Sequence, residues 1–437
     1  MQHPTTPTSL DHLRSRWTLG QRPLVVLAAA ATVGLTVAVL HAAFVEHGYR
    51  RFMLAYLVAF AFVLSLSLGG LFFVVIQHLA RAGWSVLVRR PAEALAANVL
   101  VVSLLFLPIA FSVLRGGGEI YPWAQSASMN QLARHDEPAA RASASAGYEH
   151  QRLDRRTLAK RAQLNPPWFV GRWAILLAVW AFLSLRFWRL SVGQDTTADP
   201  ATTVRMERLA PPAALFLGLI LTLGAFDLLM SLNPHWYSTI LGIYYFSGAA
   251  VGGLSAIILL VIGLQRAGAL PRAIGESHYL DLGRLLFGFT FFWAYIAFSQ
   301  YMLLWYANLP ETTSWLRIRG LSTASGDASA WSIVALVLLF GHFVLPFLGL
   351  MSRHVKRRPV LLAAGALWML LMHYLDLAWI VLPELGPKLH LGLVELGLLV
   401  AVLAIYGLGL AWRLRPYSLI PLGDPRLSES AMHESAY

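Results

Sequence analysis

The residues of this sequence that could do chemistry sit in or beside long apolar runs. Asp227 lies late in one run. His373 and Asp376 share another, three positions apart. His342 is in the middle of the run before it, and Glu395 opens the last. A titratable group in hydrocarbon is costly; where one occurs it marks a proton route, a ligand contact or a pairing between helices. Three positions on a helix put His373 and Asp376 on one face. There an imidazole beside a carboxyl can pass protons or hold a polar head group. For any one of these residues, pairing between helices is an equally good account, and the sequence leaves both open.

These groups must be positioned by membrane helices. Of 437 residues 57% are hydrophobic and only 13% charged, an excess that lipid on the outside explains better than water. Runs of about twenty apolar residues are read at Pro23–Phe44, Phe52–Ile76, Ala92–Val113, Phe169–Trp188, Pro212–Leu232, Thr239–Leu264, Gly283–Tyr306, Trp331–Met351, Pro359–Leu382 and Leu391–Trp412. Charge tests the count. With residues 1–22 cytoplasmic, twenty Lys and Arg fall on the cytoplasmic side and five (Arg50, Arg51, Arg317, Arg319, Lys388) in the short loops opposite. That bias needs an even number of spans, with both ends inside. The expected class is therefore an all-α integral membrane protein. Its transmembrane domain covers 23–412, with a long outer loop at 114–168 and a cytoplasmic tail at 413–437. The N-terminus has no apolar signal-peptide core, so the first span is expected to stay in the membrane. Ala- and Ser-rich 126–147 reads as flexible, Pro416 to Tyr437 as a disordered end, and Tyr121, Trp123 and Trp168 as interfacial aromatics. The net charge of +12 is spread over these clusters rather than along one stripe, which argues against nucleic acid.

On this topology Asp227, His373, Asp376 and Glu395 lie toward the outer face, with His235, Trp236, Tyr295, Tyr301 and Glu311 near them. The aromatics could line a slot for a ring-shaped ligand, although aromatics on membrane helices more often pack. The glycines of 245–254 (YFSGAAVGGL) read as close helix packing. Pro346 is expected to kink the eighth helix beside His342. The chain has no cysteine, which excludes thiolate-held iron–sulfur clusters and covalent c-type haem. A bis-histidine haem would need two imidazoles at one depth, and His342 and His373 match poorly. No compact zinc spacing is present, so no metal site is expected.

Several longer stretches resemble one family: DLLMSLNPHWYSTILGIYYFSGA from Asp227, HYLDLG from His278, FFWAYIAFSQYMLLWYANLPE from Phe291, QHLARAGW from Gln77 with Arg89, Arg90 and Glu93, GHFVLPF from Gly341, and Lys356-Arg357. Over roughly residues 52–383 they look like the second quinone-binding subunit of alternative complex III, a bacterial quinol:cytochrome c oxidoreductase. Its relatives are the NrfD-like membrane subunits of polysulfide reductase. The resemblance implies two four-helix bundles, spans two to five and six to nine, flanked by the first and last helices. It implies a bacterial inner membrane, a quinone or quinol (menaquinone or ubiquinone) as substrate, and redox centres held by partners. Those partners would be a related NrfD-like subunit, an iron–sulfur/molybdopterin-like subunit and c-type cytochromes. Asp227, His342, His373, Asp376 and Glu395 would then serve a proton path or the quinol head group. His235, Trp236, Tyr295, Tyr301 and Glu311 would shape the pocket. The family often carries a second acid after Glu311, where this chain has Thr312. A scaffold or proton-conducting subunit without quinone, and a secondary transporter, are the competing readings.

Overall fold

A computed structural model describes residues 15–45, 48–125, 160, 162–321 and 329–434, apart from the side chains of residues 310 and 311. Ten helices are long and apolar enough to cross a membrane: α1 (Arg22–Phe44), α2 (Gly48–Leu79), α3 (Val86–Arg115), α4 (Pro166–Thr197), α5 (Pro200–Leu232), α6 (Leu241–Arg266), α7 (Glu276–Ala307), α8 (Trp331–Met351), α9 (Pro359–Leu385) and α10 (Leu393–Leu414). No strand occurs among the described residues. The protein is an all-α, multi-pass membrane protein. Each apolar run read from the sequence is one of these helices. Several helices run past the apolar stretch: α4 continues to Thr197, and α5 starts at Pro200 and carries Pro211 and Pro212 inside it. A backbone satisfied by its own hydrogen bonds has no reason to stop where the hydrocarbon does.

Helices α2 to α5 pack in a ring, as do α6 to α9, and α2 against α6 joins the two bundles. Helices α1 and α10 lie against each other beside α2. The joining helices are almost wholly buried, and glycines bring their backbones together. A Cβ at Gly69 would stand 2.1 Å from the carbonyl oxygen of Ala249, and one at Gly34 would stand 2.6 Å from that of Gly397. Without water to drive apolar faces together, such close approach is what holds membrane helices. Helix α1 starts at one end of the molecule, the near end, and finishes at the other, the far end.

Two expectations about loops are overturned. The tail after α10 is ordered to residue 434: Leu419, Ile420 and Leu427 are buried, and Asp424 pairs with Arg89. Ser430 Oγ accepts from Leu87 N (3.2 Å) and donates to the Trp84 carbonyl (2.7 Å). The polar composition of the tail serves these bonds rather than solvent. Tyr121 and Trp123 do not present an exposed ring at the surface, as aromatic anchors at a membrane boundary would. Both are buried, donating to the Leu228 carbonyl (3.0 Å) and the Ser231 carbonyl (3.1 Å), which cap the end of α5. Trp168 is half exposed, as a boundary residue should be. The stretch 126–147 lies outside the described residues.

Candidate functional site

In the second bundle, α6, α7, α8 and α9 bring four aromatic or titratable side chains to one place. Asp376 is buried on α9 and accepts two hydrogen bonds, from Tyr244 Oη on α6 (2.5 Å) and from Trp293 Nε1 on α7 (3.2 Å). The Trp293 indole lies face to face with the His342 imidazole of α8, with ring centroids 3.8 Å apart. His342 is buried, and neither of its ring nitrogens has a partner among the described residues. Pro346 brings no N–H to the carbonyl four residues earlier, which is that of His342. The expected kink takes the form of a π-helical turn over Leu339–Val344. Such turns recur at functional positions in helices. Trp368 Nε1 donates to the Gly341 carbonyl within it (2.7 Å).

His373 shares the α9 face with Asp376 but points at the joint between the bundles. Its Nε2 is 2.8 Å from Ser65 Oγ on α2. Ser65 donates its own hydrogen to the Phe62 carbonyl (2.6 Å), so the imidazole donates to Ser65 and Nδ1 is the bare nitrogen. Gly248 and Gly252 make the slot for this ring; a Cβ at either would be 2.8 Å from it. The glycine run therefore packs helices and also houses an imidazole.

Beside Tyr244 and Trp293, between α7 and α8, is an apolar cavity of about 550 Å³. This is within the ~300–1,000 Å³ usual for ligand pockets. Tyr244 and Trp293 stand on its wall with Tyr295, Tyr301, Phe343 and Trp379. Tyr295 and Phe298 are about 60% exposed, so the cavity is bordered by the lipid-facing surface. Gln300 supplies its amide: the side chain is buried and lines the cavity, and its Oε1 has no partner among the described residues.

Trp315 and Leu316, on the short helix Pro310–Ile318, and Leu321 line the far side. Arg319 fixes this wall. It is fully buried and donates to the carbonyls of Trp315 (3.0 Å), Trp379 (3.2 Å) and Ile380 (2.5 Å). Its guanidinium stacks 3.6 Å over Trp315, with Glu384 at 3.8 Å. Burial pushes the Arg319 pKa down to about 9, so it still carries its charge at neutral pH. Trp236 is buried behind this wall, stacked on Trp315 with centroids 4.7 Å apart.

The other acids lie elsewhere. Asp227 is bound by both arms of Arg172 (2.8 Å each), joining α5 to α4 in the first bundle. Glu395 takes both arms of Arg51 (2.7 and 2.8 Å) and accepts from Gly392 N (2.8 Å), capping α10 and tying it to α2. His235 is half-buried in the turn after α5, where its backbone N–H donates to Asn233 Oδ1 (3.1 Å). The Glu311 side chain lies outside the described residues. Of the candidates named from sequence, Tyr295 and Tyr301 thus line the cavity, Asp376 and His342 sit behind Tyr244 and Trp293 of its wall, Trp236 lies behind Trp315, and His373 is one turn away. Asp227 and Glu395 are separate ion pairs.

Tyr244, Trp293, Gln300 and Arg319 escape sequence reasoning. The first three are uncharged residues on apolar helices, and only packing shows which face they share. Arg319 reads in the sequence as a loop charge facing water. Among the described residues no group of three metal-binding side chains occurs. The arrangement can hold an amphiphile with an apolar ring and move a proton between a phenol and a carboxyl. No family model matches the chain, and no curated protein sequence matches it.

Proposed function

We propose that this chain is a membrane subunit of a quinol-oxidising electron-transfer complex of the bacterial inner membrane, with both termini in the cytoplasm and its quinol in the α7–α8 cavity. The single observation that carries the reading is the cavity with Tyr244 on its wall donating to the buried Asp376. A phenol that donates to Asp376 keeps its oxygen lone pairs for a ligand hydroxyl. As the proton of one quinol hydroxyl moves to Tyr244, the phenol's proton moves to Asp376; once Asp376 has released it, the second hydroxyl's proton follows the same relay, so that two protons and two electrons leave and a quinone remains. The electrons leave to redox centres on partner subunits, here an iron–sulfur protein and c-type cytochromes, because a chain without cysteine cannot ligate such clusters. Gln300 is the amide within reach of a quinone carbonyl.

Asp376 suits this work better than the other acids. Among the described residues its partners are a phenol and an indole, both neutral. It can take up and return a proton without parting from a cation, whereas Asp227 and Glu395 must each release an arginine. Those two ion pairs favour a second role for the same chain, as the scaffold of the complex. The transporter reading has less behind it. The interruptions of α3, at Asn98 and Phe106, and of α8, at the π-helical turn, fall on the second helix of one bundle and the third of the other, rather than at matching places.

The test is labelling of the purified complex by a photoreactive quinone, with peptides mapped, in wild type and Ala335→Trp. Label on α7 and α8 that excess quinol displaces and that Ala335→Trp removes is the expected result. Label confined to other subunits would refute quinol binding here and leave the scaffold reading.

A further inference from the structure

Across the near end, cations and carboxylates are mostly matched. Arg89 bonds Glu93 and Asp424, Arg90 bonds Asp195, and Arg426 bonds Glu207 (2.6 Å). The turn from α8 to α9 breaks this pattern. It reads Ser352-Arg353-His354-Val355-Lys356-Arg357-Arg358, and no Asp or Glu occurs anywhere from 328 to 375. Four cations thus fall within six residues. No described residue gives Arg353, Lys356, Arg357 or Arg358 an ion pair or a side-chain hydrogen bond. On α7, which packs against this turn, Asp281 is already bonded to Arg284 (2.8 Å) and His433 (2.7 Å).

Lys356 is the residue that makes this more than a solvated basic loop. Only 7% of it is exposed. Its stem lies on Gly283, where a Cβ would be 2.7 Å from Lys356 Cγ, and its ammonium faces the Phe287 ring at 5.2 Å. Burial, with Arg284 and Arg353 beside it, pushes its pKa below the ordinary value. A buried cation flanked by cations, with no carboxylate among the described residues to pair it, is suited to an anion from outside the chain. The helix ends on either side are apolar and bare: Leu345, Leu348 and Met351 on α8 and Val360 on α9 are each about 60% exposed. The cations adjoin the ends of two membrane-spanning helices, beside apolar surfaces fit for acyl chains.

We propose that the α8–α9 turn binds the phosphate headgroup of an anionic phospholipid, with its acyl chains on the exposed ends of α8 and α9. Arg353 and Arg357 take the phosphate oxygens, and Lys356 supplies the fixed buried charge beneath them. A neutral or zwitterionic lipid brings no net charge to offset Lys356 and is disfavoured. Basic pockets at the membrane surface between helices are suited to such headgroups.

The test is native mass spectrometry of the full chain released from detergent, titrated with phosphatidylglycerol or cardiolipin and, separately, with phosphatidylcholine. The wild type is expected to retain one anionic lipid at concentrations where phosphatidylcholine is not retained. Arg353→Gln with Arg357→Gln, the first exposed and the second partly buried, should weaken that binding at least tenfold and leave the folded charge-state distribution unchanged. Arg186→Gln with Arg189→Gln, an exposed basic pair on α4, should leave it intact. Equal retention of phosphatidylcholine, or equal loss from both variant pairs, would overturn the site. So would displacement of the lipid by millimolar inorganic phosphate, which would make the ligand a free anion. Failure here would leave the quinol reading of the α7–α8 cavity untouched, since the two sites lie at opposite ends of α8.

Discussion

Asp376→Asn separates the chemistry of the cavity from its architecture. The carboxyl accepts from Tyr244 on one oxygen and from Trp293 on the other. The asparagine amide is nearly the same size and has one acceptor and one donor end. The indole can only donate, so the amide oxygen must face Trp293 and its NH₂ must face Tyr244. The phenol can accept there as well as donate, so a bond survives with its direction reversed. The structural cost is that of exchanging one charge-assisted bond for a neutral one, about 1–2 kcal/mol. That is small for ten packed helices, and assembly should survive. The reversed bond ends the relay, because Tyr244 no longer points its proton at an acceptor. Losing a positioned general base costs roughly 10²–10⁴ in rate, or about 3–5 kcal/mol of barrier. The assay is quinol-dependent cytochrome c reduction by the purified complex, with subunit content measured on the same samples. Tyr244→Phe should also fall by at least tenfold, and the double variant should be no slower than Asp376→Asn alone, since the two act as one unit. An assembled Asp376→Asn complex with more than a tenth of the wild-type rate would refute the relay.

Two further variants probe what holds the site. Arg319→Gln leaves three buried carbonyls without their charged donor and frees Trp315 and Trp379 from the guanidinium. It should lower stability by about 3–5 kcal/mol and loosen quinone retention, seen as a lower melting temperature and less extractable quinone; an unchanged melting temperature would show that the wall stands without it. Gly252→Ala pushes a methyl group to 2.8 Å from the His373 ring and should cost about 1–3 kcal/mol, while Gly263→Ala, with nothing within 4 Å, should be neutral or slightly stabilising in the same melt. Equal melting temperatures for the two alanines would mean that the imidazole slot is not tight.

The spans are legible in the sequence because twenty apolar residues and a charge bias between loops are long-range signals, each redundant over many positions. The two-bundle packing is reachable only through the resemblance. Hydropathy says that a helix meets lipid or protein, not which helix it meets. The candidate site is half legible for the same reason. Asp376 and His342 announce themselves because a titratable group in hydrocarbon is rare. Asp227 and Glu395 announce themselves as loudly, and yet each sits on an arginine. In the sequence Arg51 looks like a loop charge, and nothing pairs Arg172 with Asp227. Tyr244 and Trp293 give no signal, because a membrane helix is full of aromatics that merely pack. The C-terminal tail misleads through composition: polar residues are also what is needed to close a buried basic cluster such as Arg89 and Arg90.

Cost in the membrane is informative about function only after pairing is known. As intramembrane charges, Asp227, Asp376 and Glu395 look equivalent. Asp227 and Glu395, once paired with arginines, become cross-links between neighbouring helices, and the energy of burying them is met by charge-assisted bonds at 2.7–2.8 Å. Glu384 is shared between Arg319 and Arg50, which donates to its backbone carbonyl. Asp376 has no such settlement among the described residues. It is held by donors that would serve a neutral or a charged carboxyl alike, beside a large apolar cavity whose wall carries both of them. That lack of a counter-ion, beside a cavity, is the reason for placing the proposed proton relay at Asp376 rather than at Asp227 or Glu395.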